Sequence, residues 1–131
     1  MDPSDEQRRG GAAPKAAGTQ ATDLNLALER VGGDEELLSE LAVLFLEDYP
    51  RQLIVIADAI ARGDLKTAER EAHSVKGAVA NFGAAPASEA ARALEFAARD
   101  GRKDALTPGL ERLRQELALV HVELARLTGS V

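Results

Sequence analysis

The sequence predicts an all-α protein, specifically an up-and-down antiparallel four-helix bundle with a short extra N-terminal helix and a disordered N-terminal arm. Hydrophobic residues make up 45% of the 131 residues and aromatic residues only 3%. Apolar side chains that are mainly Leu, Ala, Val and Ile, with so few aromatics, favour helices over sheets. Apolar residues also recur at intervals of three and four in four long segments. Short connections between these segments make successive helices antiparallel neighbours.

The N-terminal part of the chain divides into an arm and a short helix. Residues 1–22 are rich in Gly, Ala, Pro, Gln and charge, and without apolar periodicity they cannot offset their ordering entropy by burial. We therefore predict a disordered arm or linker there. Leu24 to Leu28 predict a short helix that ends before Gly32. Residues 23–131 form the predicted bundle domain.

The first two long helices have clear start signals. Asp34 is suited to cap the first. Pro50 costs about 3 kcal/mol in a helix interior, yet the apolar stripe resumes after it, which predicts a kinked helix ending near Gly63. Asp64 is suited to cap the second helix, which we predict from Leu65 to Phe82.

The last two long helices are bounded by Gly and Pro. Gly83 is a natural C-cap for the preceding helix. Pro86 suits the first turn of the third helix, which ends at Asp100. Thr107 followed by Pro108 predicts the start of the fourth helix, whose apolar stripe continues to the end of the chain.

Composition excludes several classes of function. The chain has no Cys, so it has no disulfides or thiolate metal sites. A net charge of −6 argues against nucleic acid as a partner. No run approaches the roughly 20 apolar residues of a membrane span. We expect a cytoplasmic monomer that does not bind membranes.

His73 is the most informative residue of the second long helix. At about 100° per residue it points roughly 130° away from the centre of the apolar stripe, so it is not a core histidine. Gly77, one turn later, costs about 1 kcal/mol relative to Ala in a helix, which suggests that something approaches the backbone closely. Residues on the same surface line are predicted to form a docking surface: Lys66, Glu69, Lys76, Gly77, Ala80 and Ala84.

The imidazole of His73 is suited to carry a phosphoryl group. Imidazole in general has an unperturbed pKa of about 6.5, so a free ring nitrogen can attack phosphorus without a separate strong base. Lys76 can offset the charge on the transferred group, and Lys66 is a second candidate for that role. No His-rich metal motif or phosphate-binding loop is present, so we expect no intrinsic metal and no use of ATP.

The motif His73-Ser74-Val75-Lys76-Gly77, followed by residues 81–84 and by Leu94-Glu95, resembles the signature of the histidine-containing phosphotransfer (HPt) domain family. The resemblance covers roughly Leu24 to Leu127. It implies a phosphorelay module in which His73 accepts phosphate on its outer ring nitrogen, Lys76 stabilises the phosphoryl group and Gly77 makes room for a receiver domain.

The resemblance also implies the partners. These are receiver domains of response regulators, a hybrid histidine kinase, or both, and the receiver rather than this chain holds Mg²⁺.

Several alternatives remain open at this point. The chain could be an adaptor or inhibitor that binds a receiver or kinase without carrying phosphate, or the HPt portion of a larger hybrid kinase. Gly77 could serve helix packing within the protein instead of docking. His121, which lacks the Lys-Gly pattern, is interpreted as a structural or surface residue.

Overall fold

The computed structural model describes residues 20–129, which fold into helices joined by short turns. A 3₁₀ turn, Lys103–Ala105, precedes the last helix. The prediction of an all-α bundle with a short extra N-terminal helix is confirmed. The α-helices of the described range are α1 Leu24–Arg30, α2 Glu35–Arg62, α3 Leu65–Ala80, α4 Ala85–Arg99 and α5 Leu106–Thr128.

The four long helices enclose one hydrophobic core. Each of α2, α3 and α4 packs against the next helix in sequence, and α5 packs back against α2 to close the bundle. Burial of the apolar face, rather than helix propensity alone, stabilises each helix. The largest fully buried side chains come from all four helices and from the turn after α3: Phe82, Ile56, Leu94, Leu113, Leu117, Leu124, Val75, Val79 and Val120.

Local capping sets the ends of α2 and the start of α3 where the sequence predicts them. The Asp34 carboxylate accepts a hydrogen bond from the Leu37 amide at 3.0 Å, and the Asp64 carboxylate accepts one from the Thr67 amide at 3.2 Å. Gly63 ends α2 in the left-handed conformation, with a φ of 74°. Pro50 lies inside α2, which continues on both sides of it.

The C-terminal end of α3 differs from the prediction. The helix ends at Ala80, not at Phe82, and a turn that includes Gly83 at a φ of 61° leads into α4. The N-terminal segment contacts this turn: the Asp23 amide donates to the Phe82 carbonyl at 2.9 Å. A Cβ on Gly83 would lie 2.7 Å from the Cβ of Asp23, so both the backbone angle and the close approach favour glycine.

The predicted boundary between arm and bundle lies slightly too far along the chain. Ala21 and Thr22 are buried, at 6% and 5% exposure. Their amides donate to the Glu123 carboxylate at 2.6 and 2.9 Å, and the Thr22 hydroxyl donates to the same group. The ordered unit therefore includes residues that we assigned to the arm, while residues 1–19 lie outside the described range.

The start of α5 also differs from the prediction. The helix begins at Leu106, directly after the 3₁₀ turn, and no side chain caps it. Thr107 is exposed and lies inside the first turn. Burial of Leu106, which is 3% exposed, supports the earlier start. Among residues 20–129, no helix combines the length and the apolar character needed to cross a membrane.

Candidate functional site

His73 lies in the middle of α3 with its ring in solvent. The core-facing residues of α3 are completely buried: Ala68, Ala72, Val75 and Val79. Because these residues define one face of the helix, His73 falls on the other side, and 66% of its side chain is exposed. The prediction that it is not a core histidine is confirmed.

The His73 ring is oriented by a carboxylate from the neighbouring helix α4. His73 Nδ1 lies 2.9 Å from Glu95 Oε2, and the Glu95 side chain is only 3% exposed. An ionised carboxylate can only accept hydrogen bonds, so Nδ1 is the donor and carries the proton. The lone pair of the neutral ring is therefore on Nε2, the atom that faces away from Glu95.

Lys76 binds the second oxygen of the same carboxylate. Its ammonium nitrogen lies 2.8 Å from Glu95 Oε1, and its side chain is 27% exposed. Burial raises the pKa of Glu95, but the hydrogen bonds and positive charge of Lys76 and His73 outweigh this effect and hold the pKa below its ordinary value. Glu95 is therefore an ionised, buried anion that links His73 to Lys76.

Arg99 completes this polar network on the α4 side of His73. Its guanidinium lies 3.0 Å from Glu95 Oε2 and 2.8 Å from Glu69 Oε2. It also lies over the Phe96 ring, 5.1 Å from the centroid. His73 and Arg99 thus both donate hydrogen bonds to Glu95 Oε2. Glu69 is held in an ion pair with Arg99. An open cleft of about 320 Å³ lies between these groups and His73.

The structure brings together most of the predicted docking residues. Lys66, Gly77 and Ala80 are exposed on the same side of α3 as His73, and Glu69 and Lys76 are partly exposed. Ala84 is an exception, since it is 1% exposed and is the residue before α4. The predicted surface line assumed a helix that continued past Ala80. Ala84 is therefore removed from the docking surface.

Gly77 is not required by packing within the protein. A Cβ built on it would have no atom within 4 Å apart from its own helix backbone and chain neighbours. The alternative that Gly77 permits close approach of another helix of this chain is therefore not supported. Gly77 therefore leaves the helix backbone exposed, without a side chain, one turn from His73.

Glu95 belongs to the motif quoted above, but neither Glu95 nor Arg99 was assigned a role from the sequence. A signal was available for Glu95, because it lies within the alanine- and leucine-rich stripe of α4, between the buried Leu94 and Ala97. A carboxylate at a buried position must be paired. Its partners could not be identified from the sequence, because His73 is 22 residues away on another helix.

The second histidine has a different environment. His121 Nδ1 lies 2.7 Å from the Tyr49 hydroxyl, and the two rings meet edge to face at 5.7 Å. No group of three or more His, Cys, Asp or Glu residues suited to a metal is found in residues 20–129.

Comparisons with known proteins identify the family and the fold. The family model described as Hpt domain matches residues 40–123. No curated protein matches the chain significantly.

Two solved structures share the fold. Histidine-containing phosphotransfer protein B (HptB) from Pseudomonas aeruginosa PAO1 gives a TM-score of 0.78 at 23% identity, covering 85% of this chain and 96% of that one. The HPT domain of the Hpt sensor hybrid histidine kinase from Shewanella gives 0.73 at 20% identity, with the same coverage. Because the family model spans more than half of the chain and the fold agrees, the protein belongs to the Hpt domain family, the histidine phosphotransfer modules of phosphorelays.

Proposed function

We propose that His73 is the phosphoacceptor of this module and that its Nε2 atom exchanges a phosphoryl group with an aspartyl phosphate on a receiver domain. The observation that carries the proposal is the hydrogen bond from His73 Nδ1 to the buried Glu95 carboxylate at 2.9 Å. This bond fixes the ring with Nδ1 toward Glu95, so that in the neutral ring the lone pair is on Nε2, which faces away from Glu95. Family members interact with receiver domains and kinases.

The transfer step needs little from this chain beyond orientation and charge. Nε2 attacks phosphorus in line, the Nε2–P bond forms, and the P–O bond to the aspartate breaks with that carboxylate as the leaving group. The proton on Nδ1 stays in place. Positive charge that develops on the ring is stabilised by the Glu95 carboxylate, which lies in a site of low exposure where such interactions are strong. The reverse transfer follows the same path.

Lys76 is the proposed stabiliser of the transferred group. It lies one helical turn from His73, and both side chains contact Glu95. An ammonium group at this position can offset the phosphoryl charge without any metal on this chain. We propose that Mg²⁺ belongs to the receiver partner, and that the module acts in the cytoplasm as a monomer.

The first experiment is phosphoryl transfer from a panel of purified, phosphorylated receiver domains to wild-type protein, His73→Gln and His121→Gln. We expect acid-labile label and the mass shift of one phosphoryl group on the wild type and on His121→Gln, but not on His73→Gln. Label of equal strength on His73→Gln would refute the assignment. Binding of receivers without label on any protein would favour the adaptor function instead.

A further inference from the structure

The start of the described chain is fixed to α5 through the Glu123 carboxylate. This group accepts hydrogen bonds from the amides of Ala21 and Thr22 and from the Thr22 hydroxyl. Because both residues are buried, solvent competes little for these bonds. Hydrogen bonds to a carboxylate are also stronger than those between neutral groups. Glu123 therefore holds the segment firmly where it enters the bundle.

The next residue, Asp23, links α1 to the turn after α3. Its amide donates to the Phe82 carbonyl at 2.9 Å. Its carboxylate accepts a hydrogen bond from the Leu26 amide at 3.1 Å and so caps the start of α1. Its Cβ and backbone also lie against Gly83, where they leave no room for a side chain. The position of Asp23 therefore sets both the start of α1 and its contact with this turn.

The other end of α1 returns to α3. The Arg30 guanidinium donates to the carbonyl of Ala80, which is the last residue of α3. The last carbonyls of a helix have no partner within the helix, and a cation at this end interacts favourably with the helix dipole. The last turn of α3 contains no basic residue of its own. Arg30 therefore supplies from α1 the cation that the end of α3 lacks.

The stability of α1 depends on these contacts. It has seven residues, and an isolated helix shorter than about 12 residues is marginal in water. Ala27 is buried, whereas Leu24 and Leu28 are only partly buried against the core. Local opening occurs first in parts of a protein with few buried apolar contacts. We therefore expect α1 and the segment before it to open before the four long helices do.

We propose that residues 21–30 form a clasp, closed on Glu123, that caps the C-terminal end of the His73 helix and opens as one cooperative unit. Loss of the Glu123 contacts frees Asp23, and α1 then loses both its N-cap and its bond to the turn. Ala80, at the end of α3, is exposed on the same side as His73. The clasp thus couples the chain before it to the surface beside the histidine, whichever partner exchanges the phosphoryl group.

The test is amide hydrogen exchange on the full chain, followed residue by residue by NMR. Glu123→Gln removes the charge that holds the segment. Glu116→Gln is the matched control, since it makes the same change on the same face of α5, about 10 Å earlier along the axis, at a residue that is also partly exposed. Thr22→Val and Thr22→Ser form a milder pair, because the first removes the hydroxyl that bonds Glu123 and the second keeps it.

We expect Glu123→Gln to raise exchange by about tenfold at two reporter amides that do not bond Glu123. These are the amide of Ala27 in α1, which donates to the Asp23 carbonyl, and the amide of Ala84, which donates to the Val79 carbonyl of α3. Thr22→Val should change both amides in the same direction by a smaller factor. Glu116→Gln, Thr22→Ser and the central amides of α2 and α5 should keep wild-type rates.

Two outcomes would overturn the clasp. Faster exchange confined to Ala21 and Thr22 would show that the Glu123 contact is purely local and does not reach α3. An equal rise in every helix would show that no separate unit opens. If circular dichroism shows that Glu123→Gln is unfolded, the Thr22→Val and Thr22→Ser pair decides between the same outcomes.

Discussion

His73 and His121 are both exposed helical histidines whose Nδ1 atom has a hydrogen-bond partner, yet only one lies in a site suited to chemistry. The partner of His73 is the buried carboxylate of Glu95, and the partner of His121 is the neutral hydroxyl of Tyr49. Burial raises the pKa of Tyr49, so this hydroxyl stays uncharged at neutral pH. A cation that develops on His73 therefore meets a negative charge, whereas one on His121 meets a dipole.

Exposure and a hydrogen-bonded ring are common to both histidines, so these features do not distinguish the proposed phosphoacceptor from His121. The difference lies in the charge of the partner and in the surface around the ring. Beside His73 are the ammonium group of Lys76 and the bare backbone of Gly77. Along α5 next to His121, the exposed residues Ala118, Leu119 and Val122 are all apolar.

Removing the charge of the Glu95 carboxylate should cause the largest change in the rate of transfer to His73. Glu95→Gln keeps a hydrogen-bond acceptor but replaces a charge-assisted bond with a neutral one, a difference of about 2 kcal/mol, or roughly thirtyfold in rate. We expect that decrease in transfer to His73 in rapid-quench measurements. Tyr49→Phe, the matched change at His121, should leave the transfer rate within about twofold. Equal rates for both variants would show that the charge of Glu95 is not what distinguishes the two sites.

The next effect concerns the bare surface beside His73. Gly77→Leu adds a side chain where the receiver must approach, and we expect kcat/KM for transfer to fall by about tenfold through steric cost at the interface. Ala118→Leu adds similar bulk at an exposed position near His121 and should have no effect. Circular dichroism should show that both variants remain folded. Unfolding of Gly77→Leu would instead assign the glycine a structural role.

The smallest effect is a difference in acid stability. Because the folded pKa of Glu95 lies below its ordinary value of 4.5, its ionisation stabilises the fold above that pH. This stabilisation is lost as pH falls through 4.5 toward the folded pKa. Wild type should therefore lose more stability than Glu95→Gln between pH 7 and about pH 3 in urea unfolding. Asp64 accepts hydrogen bonds from Thr67 that lower its pKa. Because Asp64 is present in both proteins, its titration does not contribute to the difference between them. Parallel stability curves would contradict the prediction.

The parts of the site that depend on one helix could be predicted from the sequence. Helical spacing alone places His73 opposite the buried face of α3, and Lys76 and Gly77 within one turn of it. Glu95 and Arg99 could not be assigned to the site in this way, because their contact with α3 depends on how α4 crosses it. Ala84 was assigned wrongly because helical spacing has no meaning beyond the end of α3 at Ala80.

The same distinction applies to the fold. The Asp34 and Asp64 caps are local signals and gave correct helix starts. Thr107 has the same kind of signal, but the burial of Leu106 and the preceding 3₁₀ turn outweigh it. Ala21 and Thr22 appear featureless in the sequence because their partner, Glu123, lies about a hundred residues away.

The bonds that hold Ala21 and Thr22 to Glu123 have a consequence for how the module can be tethered. Gln20 and Leu127 line one cavity, so the chain enters and leaves the bundle at the same end. His73 lies seven residues before Ala80, the last residue of α3, or about 10 Å along the helix axis, and the turn after α3 contacts Asp23. A domain joined through either end would therefore be attached away from His73, which lies in the middle of α3. A receiver tethered in this way would meet the His73 surface at high effective concentration where its linker spans the distance.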